Sequence, residues 1–184
     1  MKQEKALLNK KLIPVVFALA WPTMLQELMD TAGQYIDTAM VGAIGTQATA
    51  AVGSTTTVNW LIGSSVSALG IGFLSYIAKA YGAKEKERAA KAAAQAVLVA
   101  LLVGSFLTVL TLTLSSRVPV WMKVSEDVRE LAEAYFFILY LPMLPRTAGI
   151  IFGILLRASG DTKTPMRIGI AVNIINIVLN FLLI

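Results

Sequence analysis

From Thr38 to Ala78 the chain carries no charged residue, and a second uncharged stretch of 25 residues runs from Ala92 to Ser116. A soluble fold needs charge over its whole surface, about a quarter of its residues on average, and cannot leave runs of that length bare. A bilayer demands them, because about 20 apolar residues in helix cross the roughly 30 Å hydrocarbon core. Only 15% of the 184 residues are charged, mean hydropathy is +0.71, and the charges are bunched between the apolar runs. The expected fold class is all-α integral membrane.

Five spans fit, at about 13–44, 54–78, 92–116, 131–156 and 166–184, and together they read as one partial bundle over residues 1–184. The first is long enough to tilt, and Pro22 is expected to kink it. Gly42, Gly45 and Gly53 with the Ser54 to Thr57 cluster mark a turn between spans one and two. Pro142, Pro145 and Arg146 fall near the middle of span four. The basic opening MKQEKALLNKKLIP precedes an apolar run too long for a cleavable signal, so none is expected. Cysteine and histidine are both absent, which removes disulfide scaffolds and thiol or imidazole chemistry. No nucleophile and base pair or metal cluster stands out, and an enzyme is not expected.

The net charge of +5 would suggest nucleic acid on a soluble protein, but here its placement matters more than its sum. Lys2, Lys5, Lys10 and Lys11 lie in the N-terminal tail; Lys79, Lys84, Lys86, Arg88 and Lys91 follow span two; Arg157, Lys163 and Arg167 follow span four. These are 12 of the 16 basic residues. Positive loops stay on the cytoplasmic side, so the N-terminus is expected there and Ile184 near the outer face.

An ionised side chain at mid-membrane costs about 2.5–3.5 kcal/mol even on the lenient insertion scale, so three acids in span one need a reason. At 100° per residue, Glu27, Asp30, Gln34 and Asp37 fall within an arc of about 80° on one helix face. They suit a cation or proton site facing a wet cavity, or structural pairing with a base elsewhere in the bundle. Asn173, Asn176 and Asn180 share an arc of about 60° on span five, where amides can donate hydrogen bonds, supply carbonyl oxygen to a cation, or join helices. Beside an acidic stripe, a shared site is the better reading. The small residues of span two, Gly63 to Ser75, suit close helix packing. Asn59 and Trp60 could meet an aromatic cation. Arg146, a lone base near mid-span, should find a carboxylate at Asp30 or Glu27, where the two prolines would admit water.

Three segments resemble the amino-terminal lobe of multidrug and toxic compound extrusion (MATE) transporters: AWPTMLQELMDTAGQYIDTAMVGAIGTQATAAVG (20–53), GIGFLSYIAKAYGAKEKERA (70–89) and GILLRASGDTKTPMRIGIAVNIINIVLN (153–180). The resemblance covers essentially the whole chain in order. It implies the first five helices of a twelve-helix fold of two lobes, working by alternating access driven by sodium or proton flow. By it, Asp37 matches the first-helix aspartate to which cation binding is attributed, and Asn176 and Asn180 match its fifth-helix partners. Those three would be the metal ligands if sodium is the coupling ion. Arg146 and Glu27 belong to no part of that pattern.

The resemblance implies a secondary active transporter in the cell membrane, a cation-coupled antiporter exporting drugs or other organic, cationic amphiphiles. No cofactor is expected beyond Na+ or H+ as the coupling ion. The partners are the lipid bilayer, a small organic substrate and a carboxy-terminal lobe, with no nucleic acid. Glu27, Asp30, Gln34, Asn59, Arg146 and Asn173 would line a substrate or coupling path. Both ions fit, since a buried acid suits a proton and an acid among amide oxygens equally suits sodium. Five spans are short of a six-helix lobe, so the chain reads as a truncated piece that should not transport alone. Two alternatives are a non-transporting regulatory membrane protein, and a flippase of lipid-linked saccharides, against which the acidic first helix argues.

Overall fold

A computed structural model describes the backbone of residues 2–183 and the side chains of residues 12–183. It contains seven helices among the described residues: α1 (Lys2–Ile44), α2 (Thr46–Gly82), α3 (Lys86–Leu114), α4 (Val118–Trp121), α5 (Glu126–Tyr140), α6 (Met143–Ala158) and α7 (Lys163–Leu183). Four helices, α1, α2, α3 and α7, are long and apolar enough to cross a membrane, and α5 with α6 makes a fifth span bent by 48°. The chain is thus an all-helical, multi-pass membrane protein. The tail lysines Lys2, Lys5, Lys10 and Lys11, to which the orientation appeals, have side chains outside the described residues.

The distribution of side-chain size carries the bilayer's mark. Large apolar residues point outward, with Trp60 73% exposed and Phe181 79% exposed, while Ala51, Ala96, Ala100 and Ala132 are buried. Lipid tails are as apolar as leucine, so no hydrophobic gain draws large side chains inward, and small residues let helices approach closely. Gly104 of α3 lies against Leu144 and Thr147 of α6, and Gly70 of α2 lies against Ile154 of α6. Around these contacts α2, α3, α5 and α6 form one packed group, with the rings of Phe136 and Tyr140 in its core, 4.4 Å apart and tilted by 43°. α1 packs mainly on α7 and only lightly on the rest.

Three boundaries differ from the sequence reading. The first turn is a single residue, Gly45, at φ 145°, a conformation that favours glycine. Gly53 and the Ser54 to Thr57 cluster lie inside α2, because Ser54, Thr55 and Thr56 donate to their own helix at Ala51 and Val52, and satisfied hydroxyls let the helix continue. α3 begins at Lys86, so Lys86, Arg88 and Lys91 ride on its first turns. Span four is two helices, since Pro142 has no N–H to give the preceding turn. Pro14 and Pro22, by contrast, lie within α1, which continues through both.

Candidate functional site

Helices α1 and α7 run parallel in one fixed register. Asn173 Nδ2 donates to Asp30 Oδ1 at 2.6 Å, and Asn180 Nδ2 donates to Asp37 Oδ1 at 2.7 Å, each pair separated by 143 positions. Gly169 meets the Gln26 side chain at the same offset, and Gly33 lies close to Asn173. The two acids and the two amides are each seven residues apart, about 10.5 Å along a helix, so both pairs form only when the helices are parallel and in register. Glycine at 33 and 169 keeps the backbones near enough for short side chains to bridge.

Asn176 completes the outer rung. In one orientation of its amide, Oδ1 accepts from Asn180 Nδ2 at 3.3 Å. Turned over, Nδ2 donates to Asp37 at 2.9 Å from Oδ1 and 3.3 Å from Oδ2. The second orientation satisfies both atoms of the amide and suits a carboxylate, which accepts hydrogen bonds only. Asp37, Asn176 and Asn180 bring together a carboxylate and two amides, whose oxygens are the ligand type a hard cation requires and whose N–H groups suit an ionised acid.

The inner rung opens on a cavity of about 680 Å³ between α1, α2, α6 and α7. Glu27, Asp30, Arg146 and Arg157 all line it, with apolar walls that include Ile71, Phe152 and Ile168. Arg157 Nη2 donates to Gln26 Oε1 at 2.9 Å, while its Nε is buried without a partner. The carboxylate expected for Arg146 is not bonded to it: among the described residues the ion pairs are Arg88–Glu85, Lys91–Glu87 and Arg129–Glu126. Asp30 instead takes its hydrogen bond from Asn173, on the neighbouring helix, leaving Arg146 across the cavity.

Of the nine residues named from sequence, Asp37, Asn176 and Asn180 come together, as do Asp30 and Asn173. Glu27 and Arg146 join Asp30 at the cavity. Gln34 is exposed and belongs to neither group. Asn59 is half-buried on α2 with Oδ1 unpartnered, also outside both groups, and Trp60 faces outward. Sequence reasoning missed Gln26 and took Arg157 for a loop charge; it sits in the last turn of α6. Tyr135 of α5 was missed as well and lies within electrostatic reach of Asp37 and Arg146. Beyond the membrane, the N–H groups of Lys163 and Thr164 donate to Asp161 Oδ1 at the start of α7, and bonds from Thr164 above all hold that carboxyl below its ordinary value.

Comparison with known proteins gives a consistent answer. The family model described as MatE matches residues 22–182. The probable multidrug resistance protein NorM of Thermotoga maritima is 27% identical over 183 residues, covering 100% of this chain and 39% of the relative. The probable multidrug resistance protein YoeA of Bacillus subtilis is 29% identical over 182 residues, covering 96% of this chain and 39% of the relative. Two solved structures are each 26% identical and cover 90% of this chain and 37% of theirs. One is a MOP superfamily transporter from Pyrococcus furiosus described as having a binding pocket of reverse polarity, at a TM-score of 0.85; the other is a MATE in complex with MaD3S, at 0.86. The chain spans about two fifths of the length of these proteins.

Proposed function

The chain belongs to the MatE family, its match running over residues 22–182, and from that premise we propose that it serves in a cation-coupled antiporter that exports small organic amphiphiles across the membrane. Asp37, Asn176 and Asn180 bind the coupling ion, and the cavity beside Asp30 receives the organic substrate. The observation that carries this reading is the outer rung itself: one carboxylate, bonded to Asn180 at 2.7 Å, also faces the Asn176 amide.

Exchange requires that the ion and the substrate each differ in affinity between inward-facing and outward-facing states. Neutralising Asp37, by a proton or by sodium held between Asp37 and the amide oxygens, weakens the hydrogen bonds that the charged carboxylate accepts from the amides of α7. It thereby changes how tightly α1 is tied to α7. Because the inner rung lies on the same two helices, a change in their pairing reaches the wall of the cavity at Asp30.

The test joins this chain, as amino-terminal lobe, to the remaining length of the Thermotoga maritima relative and measures dye efflux from proteoliposomes under a sodium gradient and a proton gradient separately. Asp37→Asn keeps the shape and deletes the charge, so it should abolish gradient-driven efflux while inserting normally. Glu27→Gln leaves the outer rung intact and should stay gradient-dependent even where it alters which dyes are carried. Wild-type rates from Asp37→Asn under both gradients would move the coupling site elsewhere, most directly to Asp30.

A further inference from the structure

The turn from α2 to α3 gathers Lys79, Lys84, Lys86, Arg88 and Lys91 around two acids, Glu85 and Glu87, a net charge of +3, and all seven side chains are exposed. Both acids are already taken: Arg88 Nη1 reaches Glu85 Oε2 at 3.0 Å and Lys91 Nζ reaches Glu87 Oε1 at 2.9 Å. Lys79, Lys84 and Lys86 form no ion pair among the described residues, so three ammonium groups are left unanswered. Arg88 is fixed across the hairpin, its Nε donating to the Tyr76 hydroxyl at 2.8 Å and its guanidinium lying 5.3 Å from the centre of the Tyr76 ring. With Tyr76, Lys79, Ala80, Ala83 and Glu85 it lines a surface recess of about 160 Å³. Ala158 at the end of α6 packs with Ala80 and Ala89, which brings the start of α7, with Lys163 and Arg167, to the same end of the bundle. At the opposite end Arg117, Lys123 and Arg129 stand among Glu126, Asp127, Glu130 and Glu133, so the excess of positive charge is confined to one end.

We propose that the α2–α3 turn is a binding site for an anionic phospholipid of the leaflet at this end of the bundle, with Lys79 and Arg88 receiving the phosphodiester at the recess and Lys84 and Lys86 adding attraction from the turn. Depth selects a lipid over a soluble anion. Tyr76 and Tyr81, each about half exposed, flank Lys79 on the last turns of α2, and tyrosines so placed settle at the headgroup level of a bilayer. Further into the span Leu69 and Ile71 are exposed apolar residues of the same helix, a surface for the acyl chains. Lysine stems lie along such a boundary while their charged ends reach the phosphate, and each lysine near an anionic membrane surface strengthens attraction to it about fivefold. Holding the loop on one side of the membrane requires only that it be basic. Locally answered acids, free lysines and an arginine fixed on an aromatic ring go beyond that requirement.

The test is native mass spectrometry of the chain in detergent, titrated with dioleoylphosphatidylglycerol or dioleoylphosphatidylcholine, with glycerol 1-phosphate as soluble competitor. Phosphatidylglycerol should bind about tenfold more tightly than phosphatidylcholine, and glycerol 1-phosphate at equal concentration should not displace it. Lys79→Gln should weaken phosphatidylglycerol binding about fivefold and leave phosphatidylcholine unchanged. Lys79→Gln, Lys84→Gln and Lys86→Gln together should erase the preference between the two lipids. Lys123→Gln, which removes a base from the opposite end, should change neither. Lys84 has φ 62°, a conformation that favours glycine, so Lys84→Gly should raise the thermal midpoint in lipid-free detergent yet shrink the further rise that phosphatidylglycerol gives; this readout serves if the triple variant is not monodisperse. Equal affinities for the two lipids, displacement by glycerol 1-phosphate, or a loss with Lys123→Gln as large as with Lys79→Gln would each overturn the proposal.

Discussion

The seam between α3 and α6 gives a prediction whose size follows from distances. A Cβ added at Gly104 would lie 2.8 Å from Leu144 Cδ1 and 3.3 Å from both Leu144 Cα and Thr147 Cβ. A leucine tip can rotate away, but the Cα belongs to the backbone of α6 and moves only if the helix moves. Overpacking of this kind costs about 1–3 kcal/mol, set against the roughly 1 kcal/mol that Gly→Ala gains in helix propensity. Gly72 of α2 has nothing within 4 Å of the same added atom, so Gly72→Ala receives the gain without the clash. The difference between the two variants isolates the steric cost, about 1–3 kcal/mol, or a separation of about 2–12 °C in midpoint for a chain of this size. The assay is thermal unfolding in one detergent, followed by tryptophan fluorescence and circular dichroism. Equal midpoints would refute the packing of α3 on α6, and with it the position of the helix that carries both cavity arginines.

Reporters fused after Lys86 or Lys163 should be cytoplasmic and one fused after Ser125 external; Lys86 outside would invert the orientation and the side from which Asp37 is reached. Asn180→Leu removes the 2.7 Å donor to Asp37 and should cost about 1–3 kcal/mol in the same unfolding assay, and Asn176→Leu, which removes the 2.9 Å donor to the same carboxylate, should cost a similar amount, whereas Val178→Leu on the same helix should cost little. The Asp161 carboxyl is held below its ordinary value of 3.8, chiefly by Thr164, so its hold on the start of α7 is present above that value and fades as pH falls through the lower, folded one. The protection of the Lys163, Thr164 and Met166 amides, taken relative to their intrinsic exchange rates, should therefore fall on acidification below about pH 4 in the parent chain, and Asp161→Asn should flatten that response.

Apolar run lengths located the spans, and the 3.6-residue period found the stripes on α1 and α7, because both depend only on local sequence. The signal for their pairing was also present: Asp30 and Asp37 are seven apart, as are Asn173 and Asn180, so two parallel helices can match both pairs at once. Arg146 was half legible: it faces the same cavity as Glu27 and Asp30, as its mid-span position suggests, but Asn173 takes the hydrogen bond to Asp30 and no ion pair forms. Gly53 and its neighbouring hydroxyls resemble a turn by composition, yet Ser54, Thr55 and Thr56 spend their hydroxyls on their own helix. Arg157 follows the last apolar residues of span four and so reads as a loop charge. Only the path of α6 beside Gln26 reveals that it points into the cavity.

Gly45 gives the bundle a lever. With α1 ending at Ile44 and α2 starting at Thr46, a change of angle between those two long helices has a single flexible joint to act through. Asp37 is eight residues from that joint and Glu27 eighteen, about 12 Å and 27 Å at a rise of 1.5 Å per residue. A swing of about 10° therefore carries Glu27 about 5 Å but Asp37 only about 2 Å. Asp37 sits near the fulcrum and the cavity wall near the end of the arm, so a small displacement at the outer rung is geometrically amplified at the cavity.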